Sequence, residues 1–423
     1  MDSVDLRPLQ KFTFFNASFL SLDGQGKANG FMSLLMLRLL SLLIFLLGLS
    51  AVSATAQTVR TPGIDKDEIN RRAEALMSQL ELTGLAVAIV EDGKITMAEG
   101  YGEALRDSGK MVDADTVFRW ASVSKGVASH LLVSMAADDE ITLDKDAAEL
   151  APSLKLPPNE TNITIEDLLA HKVGIVRNAY DSRIEDNKGA KETRNRLKDL
   201  PYKCAPATCH TYQNVAYDAA SEIVETVKGL PYKSVVKTEV FDRFGMSTAT
   251  ASYEGLLQSN NWARPHGRFG DRIRKVKPTY YRVPAAAGIN SSVKDLARWM
   301  VAQMPDESPD TLSKAETVQQ SLQTPRVPTP REQRFLNRRF GQLTDAQYGL
   351  GFRVYDYAGN KVVGHRGGVE GYRALILFDP AKRTGIAMMW NSPHTRPIGL
   401  QLEFMDQLYG LPKRDWLRFN ERR

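Results

Sequence analysis

The sequence F-R-W-A-S-V-S-K at residues 118–125 places Ser122 three positions ahead of Lys125, where a helical apolar pattern from Val117 to Met135 begins. Residues three apart share one face of a helix, so the Lys125 ammonium can reach the Ser122 hydroxyl. A free serine is a weak nucleophile, and a partly desolvated lysine beside it can act as its base. The positive end of the helix dipole also favours an oxygen that becomes anionic. This segment therefore predicts a nucleophilic serine at 122.

The same S-x-x-K spacing recurs at Ser234 and Ser291, so the spacing alone identifies no catalytic serine. We interpret both of these serines as parts of exposed helix turns. The chain contains no G-x-S-x-G, H-E-x-x-H, P-loop or G-x-G-x-x-G sequence, which disfavours a nucleophile elbow, the common zinc proteases and nucleotide binding. The choice of Ser122 therefore depends on the motifs that follow it.

Two downstream motifs separate Ser122 from the other serines. Y-Q-N at residues 212–214 is the only Y-x-N in the chain, and G-H-R-G-G at 364–368 follows at the end of a predicted strand. In this order the three motifs resemble those of the serine β-lactamase and penicillin-binding protein superfamily. The tyrosine motif is similar to that of class C β-lactamases and their esterase and D-aminopeptidase relatives. D-L-L-A-H-K-V-G-I at 167–175 and A-A-G-I-N-S-S-V-K-D-L-A-R at 286–298 resemble further family segments. The resemblance extends from about Asp65 to Leu411.

The resemblance implies acyl transfer without a metal or cofactor. Ser122 would attack the substrate carbonyl, while Lys125 and Tyr212 would take up its proton. Tyr212 would then pass a proton to the leaving group and later activate water. Asn214 would hold Lys125 and a substrate amide. The backbone N–H groups of Ser122 and Gly368 would form the oxyanion hole.

The third motif departs from the family pattern, because H-R-G stands in place of K-T-G. His365 can still donate a hydrogen bond to a substrate, but it is largely neutral near pH 7 if its pKa stays at the reference value. Strand alternation would point Arg366 away from it, and Gly367 and Gly368 would allow close approach of the substrate. R-T-G at 383–385 is a poorer candidate because it follows the D-P turn at 379–380. We therefore expect small esters or uncharged amides to react better than cephalosporins.

Four histidines and one further departure from the family pattern have no predicted catalytic role. Val173 replaces a serine of the family pattern, which we expect to affect packing only. Four histidines stand in no recognised catalytic arrangement and are interpreted as structural: His130, His171, His266 and His394.

The order of predicted elements places strands at both ends of the chain and helices in the middle. The predicted strands are 85–91 and 94–99 around Asp92-Gly93, 352–355 and 361–364 around Gly359-Asn360, and 373–378 and 385–390 around Asp379-Pro380. The predicted helices are 65–80, 164–169 with a Thr164–Asp167 capping box, 215–227, 291–303 and 398–409. This order predicts an α+β fold, an antiparallel sheet built from both chain ends with a helical lobe of about residues 122–280 inserted. Residues 323–342, rich in proline and arginine, are predicted to form a surface loop.

The N-terminal 56 residues have the pattern of a cleaved signal peptide rather than of a folded region. Arg38 precedes an apolar run from Leu39 to Leu49, and small residues follow up to Ala56. The run is shorter than the roughly 20 residues that a membrane span needs. Because the preceding stretch is polar, we expect translation to start at Met32 or Met36. The hydrolase domain would then be 57–423, exported to the periplasm or the extracellular space, without a stable membrane anchor.

The only two cysteines, Cys204 and Cys209, admit three interpretations: a disulfide, a redox pair or half of a metal site. His210 alone completes neither a zinc nor an iron pattern. An oxidising compartment favours the disulfide, which would order the loop before Tyr212.

The chain as a whole has an ordinary globular composition, with a formal net charge of +5, 43% hydrophobic and 25% charged residues. No long basic block interleaved with aromatics occurs, so nucleic acid is excluded as an expected partner. The expected partner is a small ester, amide or β-lactam, with a peptidoglycan-derived peptide as a further candidate. The alternatives are an esterase or D-amino-acid peptidase with little β-lactam activity, a catalytically inactive cell-wall-binding relative and an unrelated membrane-anchored interaction protein.

Overall fold

A computed structural model describes residues 63–79, 81–158, 161–268, 272–305 and 313–419. The predicted signal peptide, its alternative start sites and the cleavage site lie outside these residues. The fold is built on an eight-stranded antiparallel sheet with the order β2-β1-β10-β9-β8-β7-β6-β5. Its strands are β1 Gly84–Glu91, β2 Lys94–Gly102, β5 Val327–Pro328, β6 Leu343–Tyr348, β7 Arg353–Tyr357, β8 Asn360–Val369, β9 Tyr372–Asp379 and β10 Thr384–Trp390. The predicted α+β class and the sheet assembled from both chain ends are confirmed.

The three predicted hairpins form, with one turn displaced by a residue. Asp92 and Gly93 both have positive φ, as the tight turn between β1 and β2 requires. Between β7 and β8 the positive φ values fall on Ala358 and Gly359, so the predicted turn at Gly359-Asn360 is wrong by one position. Asn360 instead pairs with Tyr357 as the first residue of β8.

Helices fill the middle of the chain. One further helix precedes the first strand of the sheet, and another follows the last strand. The helices are α1 Lys66–Met77, α2 Ser124–Ala137, α3 Ala147–Leu150, α4 Ile165–Leu169, α5 Asp181–Glu185, α6 Ala190–Asn195, α7 Asn214–Tyr217, α8 Ala219–Lys228, α9 Tyr232–Val236, α10 Tyr253–Gln258, α11 Pro284–Ala287, α12 Val293–Val301, α13 Lys314–Gln323, α14 Pro330–Arg339 and α15 Ile398–Leu408. A small second sheet pairs β3 Phe118–Arg119 with β4 Asn290–Ser291. Within the described residues, no helix has the length and apolar character needed to cross a membrane.

Two of the predicted helices differ from those observed. The helix predicted over 215–227 is interrupted at Asp218, which separates α7 from α8. The helix predicted from Ser291 begins only after Ser292, whose hydroxyl accepts the Asp295 N–H as an N-cap. Ser291 itself lies in β4, fully buried, and accepts a hydrogen bond from the Trp120 indole. It is therefore not the exposed helix turn that the sequence suggested.

The predicted surface loop over 323–342 is wrong, because this segment contains β5 and α14. Pro330 occupies the first turn of α14, where a proline costs no hydrogen bond. Leu336 is buried within this helix, and Phe340, the residue that follows the last turn, is buried as well. The prolines and arginines therefore mark the start and the exposed face of a helix.

The sheet separates two apolar cores, because alternate residues of each strand face opposite sides. In β1, Ala86 and Ala88 face the core shared with the helical region, whereas Leu85 and Val87 face α1 and α15. The nucleophile segment packs on the first of these faces.

The predicted disulfide between Cys204 and Cys209 is present, with 6.4 Å between the two Cα atoms. The Ala207 N–H of the loop that it closes donates to the Lys172 carbonyl at 2.8 Å, and the Thr211 N–H, just after the loop, donates to the His171 carbonyl at 2.8 Å. The loop therefore lies immediately before Tyr212.

Candidate active site

Ser122 lies in a single 3-10 turn, Ala121–Val123, directly before α2. Ala121 has a φ of 48°, a conformation that non-glycine residues adopt rarely and that is found at functional turns. Helix α2 is apolar on nearly all sides and is almost completely buried, so the turn is supported by a rigid element. The start of α2 places the positive end of its dipole near the Ser122 hydroxyl.

Lys125 is fully buried, and its ammonium has three polar neighbours. Its Nζ lies 3.4 Å from the Ser122 Oγ, and it donates to the Asn214 Oδ1 at 2.7 Å and to the Ala286 carbonyl at 3.0 Å. The same Nζ lies 4.7 Å from the centroid of the Tyr212 ring. The structure thus brings together the serine, the lysine, the tyrosine and the asparagine that the sequence selected.

The ring of Tyr212 packs against His171, with 4.3 Å between the ring centroids. The Nδ1 of His171 accepts the N–H of Gln213 at 3.2 Å, which fixes the backbone next to the tyrosine. Burial lowers the pKa of His171 well below its ordinary value, and His210 adds to the effect, so this imidazole is neutral. The Tyr212 hydroxyl makes no hydrogen bond to another described side chain. His171 therefore supports the tyrosine, a role that the sequence interpretation did not assign to it.

Asn214 is oriented from both ends of its amide. Its Oδ1 accepts from Lys125, and its Nδ2 donates to Asp181 at 2.8 Å. Burial raises the pKa of Asp181 to about 6, against the opposing effect of the Asn214 hydrogen bond. Because the amide already has two partners within the protein, the predicted contact between Asn214 and a substrate amide stays a prediction.

The glycines of the third motif lie inside β8 rather than at a strand end. Gly367 faces the nucleophile turn so closely that a Cβ there would overlap the Trp120 carbonyl and lie 3.0 Å from the Ser122 nitrogen. Gly368 faces the other side of the sheet, against the guanidinium of Arg373. The absence of a side chain at 367 is therefore what allows β8 to approach the nucleophile.

His365 is only 2% exposed, and both of its ring nitrogens have partners within the protein. Its Nδ1 lies 2.9 Å from the Arg366 carbonyl, and its Nε2 lies 3.0 Å from the Tyr348 hydroxyl. Burial lowers the pKa of His365 well below its ordinary value, and Arg353 lowers it further, so this imidazole is neutral as expected. The predicted hydrogen bond from His365 to a substrate stays a prediction, because in this structure the ring serves Tyr348 and the strand backbone.

Three arginines lie near the site, and two of them share one carboxylate partner. Arg366 points away from His365, as alternation predicted, and forms an ion pair with Glu332. Glu332 also holds Arg353 at 2.9 Å. Arg177 is exposed, lies with its Cζ 5.7 Å from the Tyr212 ring centroid, and has no carboxylate within ion-pair distance among the described residues.

The arrangement provides a nucleophile, a buried ammonium and a phenol, which are the groups that acyl transfer needs. Across the described ranges, no group of three or more histidine, cysteine, aspartate or glutamate side chains is placed to hold a metal ion. Sequence reasoning missed the two side chains that hold this constellation, His171 and Asp181. The role of His171 could have been predicted from the sequence, because it is the histidine of the D-L-L-A-H segment. Asp181 belongs to no motif.

Comparison with known proteins identifies the family of this chain. Residues 69–405 match the family model described as Beta-lactamase, and the chain therefore belongs to that family. It is 26% identical to an unguisins hydrolase of Aspergillus violaceofuscus over 82% of this chain and 65% of that protein. It is 24% identical to a D-aminopeptidase of Gluconobacter oxydans over 77% of this chain and 59% of that protein. The chain thus spans less than two thirds of the length of both relatives.

The fold is also similar to that of solved structures. The octameric penicillin-binding protein homologue from Pyrococcus abyssi superposes with a TM-score of 0.73 at 22% identity, covering 84% of this chain and 80% of that one. At this level of identity the similarity concerns the fold.

Proposed function

We propose that this chain is an exported serine hydrolase that cleaves amide or ester bonds through an acyl-enzyme on Ser122. The observation that carries the proposal is the fully buried Lys125 Nζ, 3.4 Å from the Ser122 Oγ. Its two hydrogen-bond acceptors are an amide oxygen and a backbone carbonyl, so the amine can exchange a proton with the serine without breaking an ion pair. An inactive wall-binding relative would not need this arrangement.

The proposed reaction uses the groups in sequence. The Ser122 hydroxyl proton passes to the Lys125–Tyr212 pair as the Oγ attacks the carbonyl carbon. When the tetrahedral intermediate collapses, the bond to the leaving group breaks, and Tyr212 returns the proton to that group. Water then attacks the acyl-enzyme with Tyr212 accepting its proton, and the bond to the Ser122 oxygen breaks as Tyr212 returns that proton to the Oγ. The Ser122 and Gly368 backbone N–H groups are proposed to bind the oxyanion, each contributing about 10²–10³ in rate.

Peptide mapping after treatment with a fluorophosphonate or a penicillin tests the nucleophile. The adduct is expected on Ser122, and Ser122→Ala should abolish both labelling and turnover. Ser234→Ala is the matched control, because Ser234 has the same spacing to a lysine but lies in α9, outside the described constellation. An adduct on Ser234, or unchanged turnover in Ser122→Ala, would contradict the proposal.

The proposed substrate ranking places small esters and uncharged amides above cephalosporins. It is supported by the neutral, internally bonded His365, which cannot supply the fixed charge that attracts a substrate carboxylate. Arg177 opposes the ranking, because it is an exposed cation beside Tyr212. Turnover of the three substrate classes by the parent and by Arg177→Gln separates the two effects. The Arg177→Gln variant should lose cephalosporin or peptidoglycan-peptide turnover while keeping p-nitrophenyl ester hydrolysis. Efficient cephalosporin hydrolysis with negligible esterase activity in the parent would overturn the ranking.

Export is proposed from the N-terminal sequence pattern alone. Sequencing the N-terminus of the secreted protein is expected to find cleavage after Ala56. A mature chain that retains residues 39–49 would instead favour a membrane-anchored protein.

A further inference from the structure

Asp218 is a buried carboxylate that belongs to none of the motifs. It is 1% exposed and lies at the break between α7 and α8, where the apolar pattern alone predicts a continuous helix. Its Oδ2 accepts from the Arg194 Nη1 at 2.6 Å, and its Oδ1 accepts the backbone N–H of Ala285 at 3.0 Å. The break therefore presents a carboxylate to two donors from different parts of the chain.

The second of these donors leads directly to the active site. Ala285 belongs to α11, a helix of four residues, and the carbonyl of the next residue, Ala286, accepts from the Lys125 ammonium. So short a helix has little stability of its own, and the N–H groups of its first turn have no partners within it. Asp218 supplies a partner for the Ala285 N–H from the break between α7 and α8, so its carboxylate anchors the residue that precedes Ala286.

We propose that Asp218, held by Arg194, is a positioning residue for acyl transfer that sets the Ala286 carbonyl against the ammonium of Lys125. The inference rests on the proposed function of Ser122. A buried ion pair can often be replaced by apolar side chains without loss of stability. A role in orientation therefore accounts for the Asp218–Arg194 pair better than a role in stability does. Burial raises the pKa of Asp218 to about 7 against the effect of Arg194, which agrees with a carboxylate kept at an energetic cost.

Glu222 provides a matched control within the same cluster. It accepts from the Arg194 Nη2 at 3.1 Å and also contacts Ser153, but neither contact involves α11. Glu222→Gln and Asp218→Asn therefore both weaken the pairing of Arg194, whereas only Asp218→Asn disturbs the N–H of Ala285. An asparagine presents one oxygen and one NH₂ group where the carboxylate presents two oxygens, so one of the two donors then faces another donor.

The experiment compares ester hydrolysis and fluorophosphonate labelling of Ser122 in the parent and both variants. Asp218→Asn should lower kcat and the labelling rate by roughly ten- to hundredfold with KM nearly unchanged, since a shift of about 1 Å in a catalytic group costs about that much. Glu222→Gln should keep both rates within about threefold. Asp218→Glu, which keeps the charge and the ion pair but moves the carboxylate, is the second variant should the asparagine variant not fold, and it should show the same loss in kcat.

Each outcome decides the inference. Normal kcat in Asp218→Asn or Asp218→Glu would overturn it, and so would an equal loss in Glu222→Gln, because the cluster would then act through stability alone. A parent that is labelled at Ser122 together with an equally labelled Asp218 variant overturns only the positioning role. A parent that is not labelled at Ser122 overturns the proposed function and this inference with it.

Discussion

Gly367→Ala is expected to inactivate the enzyme because of where its single added methyl group would lie. The Cβ would overlap the carbonyl oxygen of Trp120 and lie 3.0 Å from the Ser122 nitrogen. Both are backbone atoms of the nucleophile turn, so no side chain can rotate to make room. Strand β8 or the turn must move by about 1 Å, the scale at which misplacement of a reacting group costs about 10²-fold.

The expected loss in kcat/KM follows from the proposed oxyanion hole. If the displacement removes one donor, kcat/KM should fall by about 10²–10³, equivalent to about 3–4 kcal/mol of transition-state stabilisation. Overpacking should also lower the free energy of unfolding by about 1–3 kcal/mol. Steady-state ester hydrolysis and denaturant unfolding measure the two effects separately.

Gly368→Ala is the matched control, one residue further along the same strand. The three atoms nearest to its Cβ would all belong to the flexible side chain of Arg373, on the opposite face of the sheet. The backbone N–H is retained, so kcat/KM should stay within about fivefold of the parent, a cost of at most about 1 kcal/mol. The reasoning is refuted if Gly367→Ala stays within tenfold of the parent, or if Gly368→Ala loses as much.

Two further predictions concern stability. Replacing the disulfide by Cys204→Ser with Cys209→Ser should lower the free energy of unfolding by about 2 kcal/mol, the entropy of closing so short a loop; two free thiols by mass on the oxidised protein would contradict the pairing itself. Burial lowers the pKa of His130 to about 4, so between pH 6.5 and 4 the unfolded chain takes up a proton that the native one does not. The free energy of unfolding should therefore decrease by about 3 kcal/mol over that range because of this residue. His130→Phe, which keeps a ring against Phe244 and Trp299, should lose about that much less on acidification, and an unchanged pH dependence would show that His130 is not buried in its neutral form.

The residues predicted from sequence are those whose signal is local. Ser122 and Lys125 are one helical turn apart, Thr164 and Asp167 form the capping box as predicted, and the Asp92 hairpin follows from its turn. Each of these features depends on residues within a few positions of one another, which the periodicity of the backbone brings together. Such patterns therefore predict the proximity of Ser122 and Lys125 and most strands.

The residues that were missed act over long sequence separations. Asp181 holds Asn214, and Asp218 holds Ala285, but neither contact leaves a pattern in the neighbouring sequence. The break at Asp218 is likewise invisible to periodicity, because a tertiary hydrogen bond and an ion pair compensate for the lost helix contacts. In α14, the proline at 330 marked a helix start rather than a loop, and only the burial of Leu336 distinguishes the two.

The pairing of the first strand with the last has a consequence for how the chain is made. Leu85 in β1 pairs with Trp390 in β10, so the contact order of the sheet is high and its closure is slow. Synthesis proceeds from the N-terminus, which leaves one edge of the apolar β1 without its partner while the whole helical region is produced. Such an edge can pair with other chains. Translation that stops before residue 384 should therefore yield aggregates rather than a smaller folded domain, whatever the state of the active site.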